Sequence, residues 1–294
     1  MDYNTFEVEI AKVNSVLGLK LDLAKISDCA SKMGIKVVGS SEDGKVFKVE
    51  VPPTRADILH SCDVIEDIGI GYGFNNIQKV YPPTNTVGSF QPNNKFQDML
   101  RAELAQAGYN ECLTFSLLSY KDNYTNMRLP IDENECVQLS NPKTIEFQVV
   151  RTSLVPGLLR CLQSNKGETI PQKIFEVQDC AVLDSTTDTG ARNIRKVSAC
   201  VLDQNSNFEV IHGLLDLIMI KVGATFSKHY HLEENKDDPR YLPTRGFSVI
   251  LDGKQVGTMG VLHPEVLNNF ELKYPVQSIE LDFDALFAHF KSIQ

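Results

Sequence analysis

The chain has 294 residues, enough for two domains of ordinary size, and its 42 % hydrophobic and 23 % charged residues are the mix of a globular protein with real cores. No run approaches the roughly 20 apolar residues of a membrane-spanning helix, and the opening MDYNTFEVEIAKVNS is too acidic and polar for a secretory signal. A net charge of −9 excludes a basic nucleic-acid footprint spread over the whole chain, so any such contact is local or made through a partner.

Residues 1–79 predict a small α+β module. Asn14 to Lys20 forms a short helix and turn. A second helix opens at Leu21-Asp22, buries Leu23, Ile26, Ala30 and Met33 on one face, and ends at Gly34. IKVVGS, the turn SEDG and the alternating KVFKVEV make a hairpin, which Pro52-Pro53 stops. Asp57 is the expected N-cap of a further helix with Ile58, Cys62, Ile65, Gly69 and Tyr72 in one stripe, ended by the glycines of GIGYG.

Residues 80–94, with three prolines and no period, predict a linker, and residues 95–294 a second domain. Its first helix, Lys95 to Ala107, points Phe96, Met99, Leu100, Leu104 and Ala107 inward. A strand at 112–118, an irregular polar stretch at 119–136 and a short strand at VQLSNP follow. Leu154 to Asn165 predicts a helix with Pro156 in its first turn. Strands are expected at 173–183 and 196–202, and an amphipathic helix over Phe208 to Val222. A hairpin turns on Asp252-Gly253, a short helix follows His263-Pro264, and a last strand spans 278–287. Strands joined by hairpins and backed by helices predict an α+β fold with a mostly antiparallel sheet.

The cysteines at 29, 62, 112, 136, 161, 180 and 200 are odd in number and contain no C-x-x-C, which argues against a disulfide framework and a cysteine zinc site and fits a reducing compartment. P-loop, dinucleotide-binding, G-x-S-x-G and H-E-x-x-H motifs are all missing from the sequence. The informative cluster is acidic. Asp63, Glu66 and Asp67 share a helix face, with Asp57 one turn earlier. Like charges at that spacing repel, and Mg²⁺, which takes carboxylate oxygens and waters, would relieve them. The plainer alternative is a solvated acidic face with Asp57 only a cap.

VPPTRADILHSCDVIEDIGIGYGFNNI resembles the B-five segment of phenylalanyl-tRNA synthetase β subunits, and LSNPKTIEFQVVRTSLVPGLLRCLQSNK, KIFEVQD, FEVIHGLLDLIM and GVLHPEVLNNFEL resemble the synthetase-like core of the same subunits. The form resembles the cytosolic eukaryotic and archaeal type, and the resemblance runs from about residue 8 to 287. It implies a B-five module followed by a class II synthetase-like domain without catalysis of its own. It also implies an (αβ)₂ enzyme in which the α subunit activates phenylalanine with ATP, a role for this chain in assembly and in positioning tRNA(Phe), and a cytoplasmic location. A magnesium site shared with the α subunit falls, position by position, on Asp57, Asp63, Glu66 and Asp67. Proofreading lies upstream, so no editing is expected of this segment.

A class II site needs arginines on the ATP phosphates. The stretch matching motif 3, SIELDFDALFAHF, has none, and Glu280, Asp282 and Asp284 would repel ATP. Arg151-Thr152-Ser153 is the closest remnant, with a helix cap and a surface ion pair as its plainer reading. Phe175-Glu176 echoes the motif 2 strand without its arginine, His229 and His231 alternate on one strand face with no third ligand in view, and His263-Pro264 reads as a turn. Two other readings compete: a self-sufficient class II enzyme, and a nucleic-acid-binding module acting through residues 1–79.

Overall fold

In the N-terminal sheet, alternation decides which strand is central. Phe47, Val49 and Val51 are buried on β3 (Val46–Val51), which pairs antiparallel with β1 (Asn4–Glu9) on one side and β2 (Lys36–Ser40) on the other. The computed structural model describes residues 3–82 and 84–293; Met1 and Asp2 of the opening segment, Pro83 of the expected linker, and Gln294 lie outside the described residues. The chain divides into two compact units between Gly88 and Ser89.

β1 was not expected, although Phe6 and Val8 alternate with polar neighbours. α1 (Ile10–Leu17) follows it directly and starts four residues before the expected helix. α2 (Leu23–Lys32) is capped by the Asp22 carboxylate, which accepts from the Lys25 amide at 2.8 Å, and buries Ile26, Cys29 and Ala30. α3 (Ser61–Tyr72) starts three residues later than Asp57 as N-cap predicts. Its N-cap is His60, and the Asp63 side chain accepts from the amides of Leu59 and His60 at 2.9 and 2.8 Å. The later start rotates the buried stripe to Val64, Ile65, Ile68 and Gly69, so Cys62 is exposed. Of the glycine run, only Gly73 ends the helix, at φ 93°. Gly71 lies inside α3, where an added Cβ would sit 2.1 Å from the Cys29 carbonyl oxygen of α2. The two helix backbones touch at that point, and only a residue without a side chain permits it.

The second unit opens with α4 (Pro92–Gln106), three residues before the expected start. It buries Phe96, Leu100 and Leu104, while Met99 and Ala107, expected inward, are exposed. The strand expected at 112–118 is broken. Asn110–Glu111 (β4) runs parallel to a later strand, and Leu117–Leu118 (β5) pairs antiparallel with Val149–Val150 (β6). Between them Thr114 bonds a buried carboxylate instead of a ladder. The stretch 119–136 is better ordered than its polarity suggests. It holds α5 (Tyr120–Asn123) and a 3₁₀ turn, and buries Tyr124, Met127 and Cys136. VQLSNP contributes only an isolated bridge, Gln138 to Val149.

α6 (Val155–Ser164), β7 (Gln172–Leu183), β8 (Ala191–Leu202), α7 (Phe208–Lys221), β9 (Tyr230–Glu234), β10 (Tyr241–Leu251), β11 (Lys254–Leu262), α8 (Pro264–Asn269), β12 (Val276–Asp282) and α9 (Phe283–Ser292) complete the unit. The sheet order is β4-β7-β8-β12-β11-β10-β9, antiparallel throughout except at β4–β7. The β10–β11 hairpin turns on Asp252 and Gly253, at φ 49° and 74°, as the Asp-Gly pair predicts. The last expected strand stops at Asp282, whose carboxylate accepts from the Ala285 amide at 3.0 Å and starts α9. Strand alternation splits the core between two faces. Val197, Ala199 and Val201 pack with α4, α7 and α9, and Cys200 and Leu202 with α6 and α8.

Candidate functional site

Two constellations hold the charges singled out in the sequence. In the first unit, Arg55 is the centre. Its guanidinium donates to both Asp57 oxygens at 2.9 and 2.6 Å, to the Met33 carbonyl at 2.7 Å, and lies 2.7 Å from the buried Asp67 carboxylate. The Arg55 guanidinium holds the Asp57 carboxyl below the usual carboxylate range, and the Leu59 and His60 amides do the same for Asp63. Glu66 is exposed.

The four acidic residues therefore do not converge. Two share an arginine, one is a helix cap and one faces solvent. Among the described residues no three His, Cys, Asp or Glu side chains come together as a metal cage. This chain's residues alone do not fit a magnesium ion; the cation already among them is Arg55.

In the second unit the charges are built into the α6 side of the sheet. Arg151, expected in a surface pair, is buried together with Glu176, both at 1 % side-chain exposure. Its Nη1 donates to Glu176 Oε1 and to Thr114 Oγ1, each at 2.9 Å, and its Nε to the Asp179 carbonyl at 3.1 Å. Removing water from a carboxylate and a guanidinium is tolerable only with such pairing. Neither Thr152 nor Ser153 is the N-cap of α6. That end is held by Glu280, whose Oε1 accepts from the Leu154 amide at 2.7 Å and the Ser153 hydroxyl at 2.8 Å, a full negative charge at a helix N-terminus. Its Oε2 accepts from Lys196 at 3.0 Å.

Burial pushes the Glu280 carboxyl up, but the Lys196 ammonium and the Leu154 amide outweigh it, and the group stays below the usual carboxylate range. Burial likewise opposes the charge on Lys196, and Glu280 reverses it. Glu280 is thus not an open repulsive charge, and Asp282 is consumed as the α9 cap.

Tyr241 fills the sheet face beside them. A Cβ added at Gly246 would sit 2.8 Å from Tyr241 Cβ, one added at Gly260 would sit 2.9 Å from its ring Cδ1 and 2.3 Å from the Arg245 carbonyl oxygen, and the Tyr241 hydroxyl is 3.1 Å from Thr258 Oγ1. Arg240 stacks over that ring and is held by Asp238 at 2.6 Å. A cavity of about 350 Å³ remains, lined in part by Thr152, Ser153, Lys196, Arg240 and Glu280. Each of those two cations already has a carboxylate partner.

The histidines are structural. His229 precedes β9 and accepts from the Thr225 amide, His231 contacts Glu233, and His263 caps α8. Sequence reasoning missed Lys196 and the capping role of Glu280. Their shared signal is a charged residue at an inward position of an otherwise apolar strand, in KVSACVL and in SIELD.

An antiparallel sheet with this helix layering, and a helix end aimed at its charged face, define a class II aminoacyl-tRNA synthetase fold. The pyrrolysyl-tRNA synthetase of Desulfitobacterium hafniense superposes with a TM-score of 0.56 at 13 % identity, over 68 % of this chain and 70 % of that one. Residues 6–74 match the tRNA synthetase B5 domain model and residues 77–283 the model of the phenylalanyl tRNA synthetase beta chain CLM domain. The phenylalanine–tRNA ligase beta subunits of Homo sapiens and Drosophila melanogaster are each 40 % identical, over 92 % and 94 % of this chain and 46 % and 47 % of their own length. The cytoplasmic beta subunit of Arabidopsis thaliana is 36 % identical over 95 % of this chain and 48 % of its own. The chain belongs to the phenylalanyl-tRNA synthetase beta-chain family, and spans about half the length of the curated relatives it matches.

Proposed function

We propose that this chain serves a cytoplasmic phenylalanine–tRNA ligase as a non-catalytic assembly module that packs on the catalytic α subunit of an (αβ)₂ enzyme and helps position tRNA(Phe). The observation that carries this reading is the pairing of charges across the charged face of the sheet. The surface on which a class II fold would take ATP holds the ion pairs Arg151–Glu176 and Lys196–Glu280 and the Tyr241 ring, whose hydroxyl meets Thr258. Arg151, Lys196 and Arg240 each already have a carboxylate partner, which leaves them poorly placed to meet a phosphate, and adenylate formation belongs to the partner.

Assembly is supported by the opposite kind of surface. Leu113, Phe115 and Ile145 are 79 %, 74 % and 78 % exposed, and Phe115 meets Phe147 edge-on at 5.6 Å. Large apolar side chains displayed together are the usual mark of an interaction site. Magnesium enters this reading only as half a site. Asp57 and Glu66 are open to solvent, and the remaining oxygens would come from the α subunit.

Light scattering on a sizing column, with this chain alone and then with the purified α subunit, tests the proposal. A stoichiometric complex is expected, and Leu113→Ser with Phe115→Ser should weaken it at least tenfold. Phenylalanine-dependent ATP–pyrophosphate exchange by the lone chain would overturn it.

A further inference from the structure

We propose that Cys112 and Cys161 form an oxidisable dithiol, closed to a disulfide by a small peroxide and reopened by thiols. Their Sγ atoms lie 3.5 Å apart across the gap between the end of β4 and the middle of α6. A disulfide needs the sulfurs about 1.5 Å closer, within reach of side-chain rotation. The other cysteines lack this arrangement. Cys29, Cys136, Cys180 and Cys200 are buried, and the exposed Cys62 turns its sulfur toward Asp63. Cys112 and Cys161 are both half-buried, so a small oxidant reaches sulfurs already in contact.

The two thiols also differ in character. The contact between the two sulfurs and the Asn165 side-chain amide, which donates to Cys161 Sγ at 3.7 Å, pull the Cys161 thiol down to about 7, while the same contact and burial push Cys112 up. Cys161, the sulfur that the Asn165 amide reaches, is the attacking one. Its thiolate takes one oxygen of hydrogen peroxide, the O–O bond breaks, and hydroxide leaves as water. Cys112 sulfur then displaces the hydroxyl of the Cys161 sulfenic acid, its proton departs with that oxygen as a second water, and the S–S bond forms. Two thiols are oxidised and one peroxide is reduced.

The link would tie two points 49 residues apart in sequence, and Cys112 directly precedes the exposed Leu113. Oxidation would thus anchor the start of the irregular segment 112–116 to α6.

The test is peptide mapping of this chain after stoichiometric hydrogen peroxide, alkylation of free thiols and digestion without reductant. The expected product is a Cys112–Cys161 cross-linked peptide about 2 Da lighter than its reduced halves together, lost on adding dithiothreitol. In Cys112→Ser, the Cys161 sulfenic acid should persist and be trapped by dimedone at several times the wild-type yield. Wild-type protein in which Cys161 goes to sulfinic acid while Cys112 stays alkylatable would overturn the inference, as would peroxide reacting only at Cys62. The wild-type map decides the matter even if the variant fails to fold.

Discussion

Arg55 and Arg151 each sit among carboxylates, yet water reaches one cluster and not the other. The Arg55–Asp57 pair has side chains 23 % and 62 % exposed, against 1 % and 1 % for Arg151–Glu176. An exposed pair contributes little to stability and can be exchanged for another cation or partner. A buried pair is fixed, because losing either half strands a charge without solvent. One chain therefore contains a charged cluster that solvent reaches and another that is sealed into the core.

The strongest way to break this contrast is Arg151→Met. Leaving Glu176 buried and unpaired should cost the second unit about 3–5 kcal/mol, and Arg151→Met with Glu176→Leu should recover much of it, as read from urea unfolding by circular dichroism. Glu280→Gln comes next, at about 1.5–3 kcal/mol for a charged hydrogen bond lost. Its pH dependence follows from the two shifts. The folded Glu280 carboxyl titrates below its unfolded value of about 4.3, so its contribution is complete above that pH and is lost as pH falls through the folded value. Lys196 is raised, so its share is complete below about 10.4 and is lost as pH rises through the folded value. The wild-type advantage over Glu280→Gln should be level between those limits and shrink at both ends.

Gly71→Ala sharpens the comparison from the other unit. Forcing α2 and α3 apart at Cys29 should cost about 1–3 kcal/mol with no effect on the second unit's transition. Asp57→Asn is the smallest. Its urea midpoint should match wild type, because the pair it breaks is solvated.

Most of the fold could be read from periodicity, and the errors fall where side chains outcompete it. The hairpin of β2 and β3, the Asp252-Gly253 turn and α7 follow their patterns because each buries one regular face. The start of α3 was misplaced because Asp57 looks like a cap, while the cap box that forms uses His60 and Asp63. The 112–118 strand failed because Thr114 serves Glu176 rather than a neighbouring strand. The acidic spacing was legible, but its occupancy by Arg55 was not, since a residue two to twelve positions away can reach those carboxylates only once Pro52-Pro53 has turned the chain. Arg151 and Glu176 lie 25 residues apart, and nothing local announces their pairing.

The order of strands also sets a timetable. The middle of the large sheet pairs β8 with β12, whose partners Leu202 and Val276 are separated by α7, β9, the β10–β11 hairpin and α8. Until β12 has been made, β8 has a bare edge and Cys200, Leu202 and Val276 have no common core. Contacts so distant along the chain form slowly and leave sticky edges meanwhile. The N-terminal unit joins its sheet entirely within residues 4–51. During synthesis it can be finished while the second unit is still waiting for its central strand, which leaves the later unit with open edges for longer.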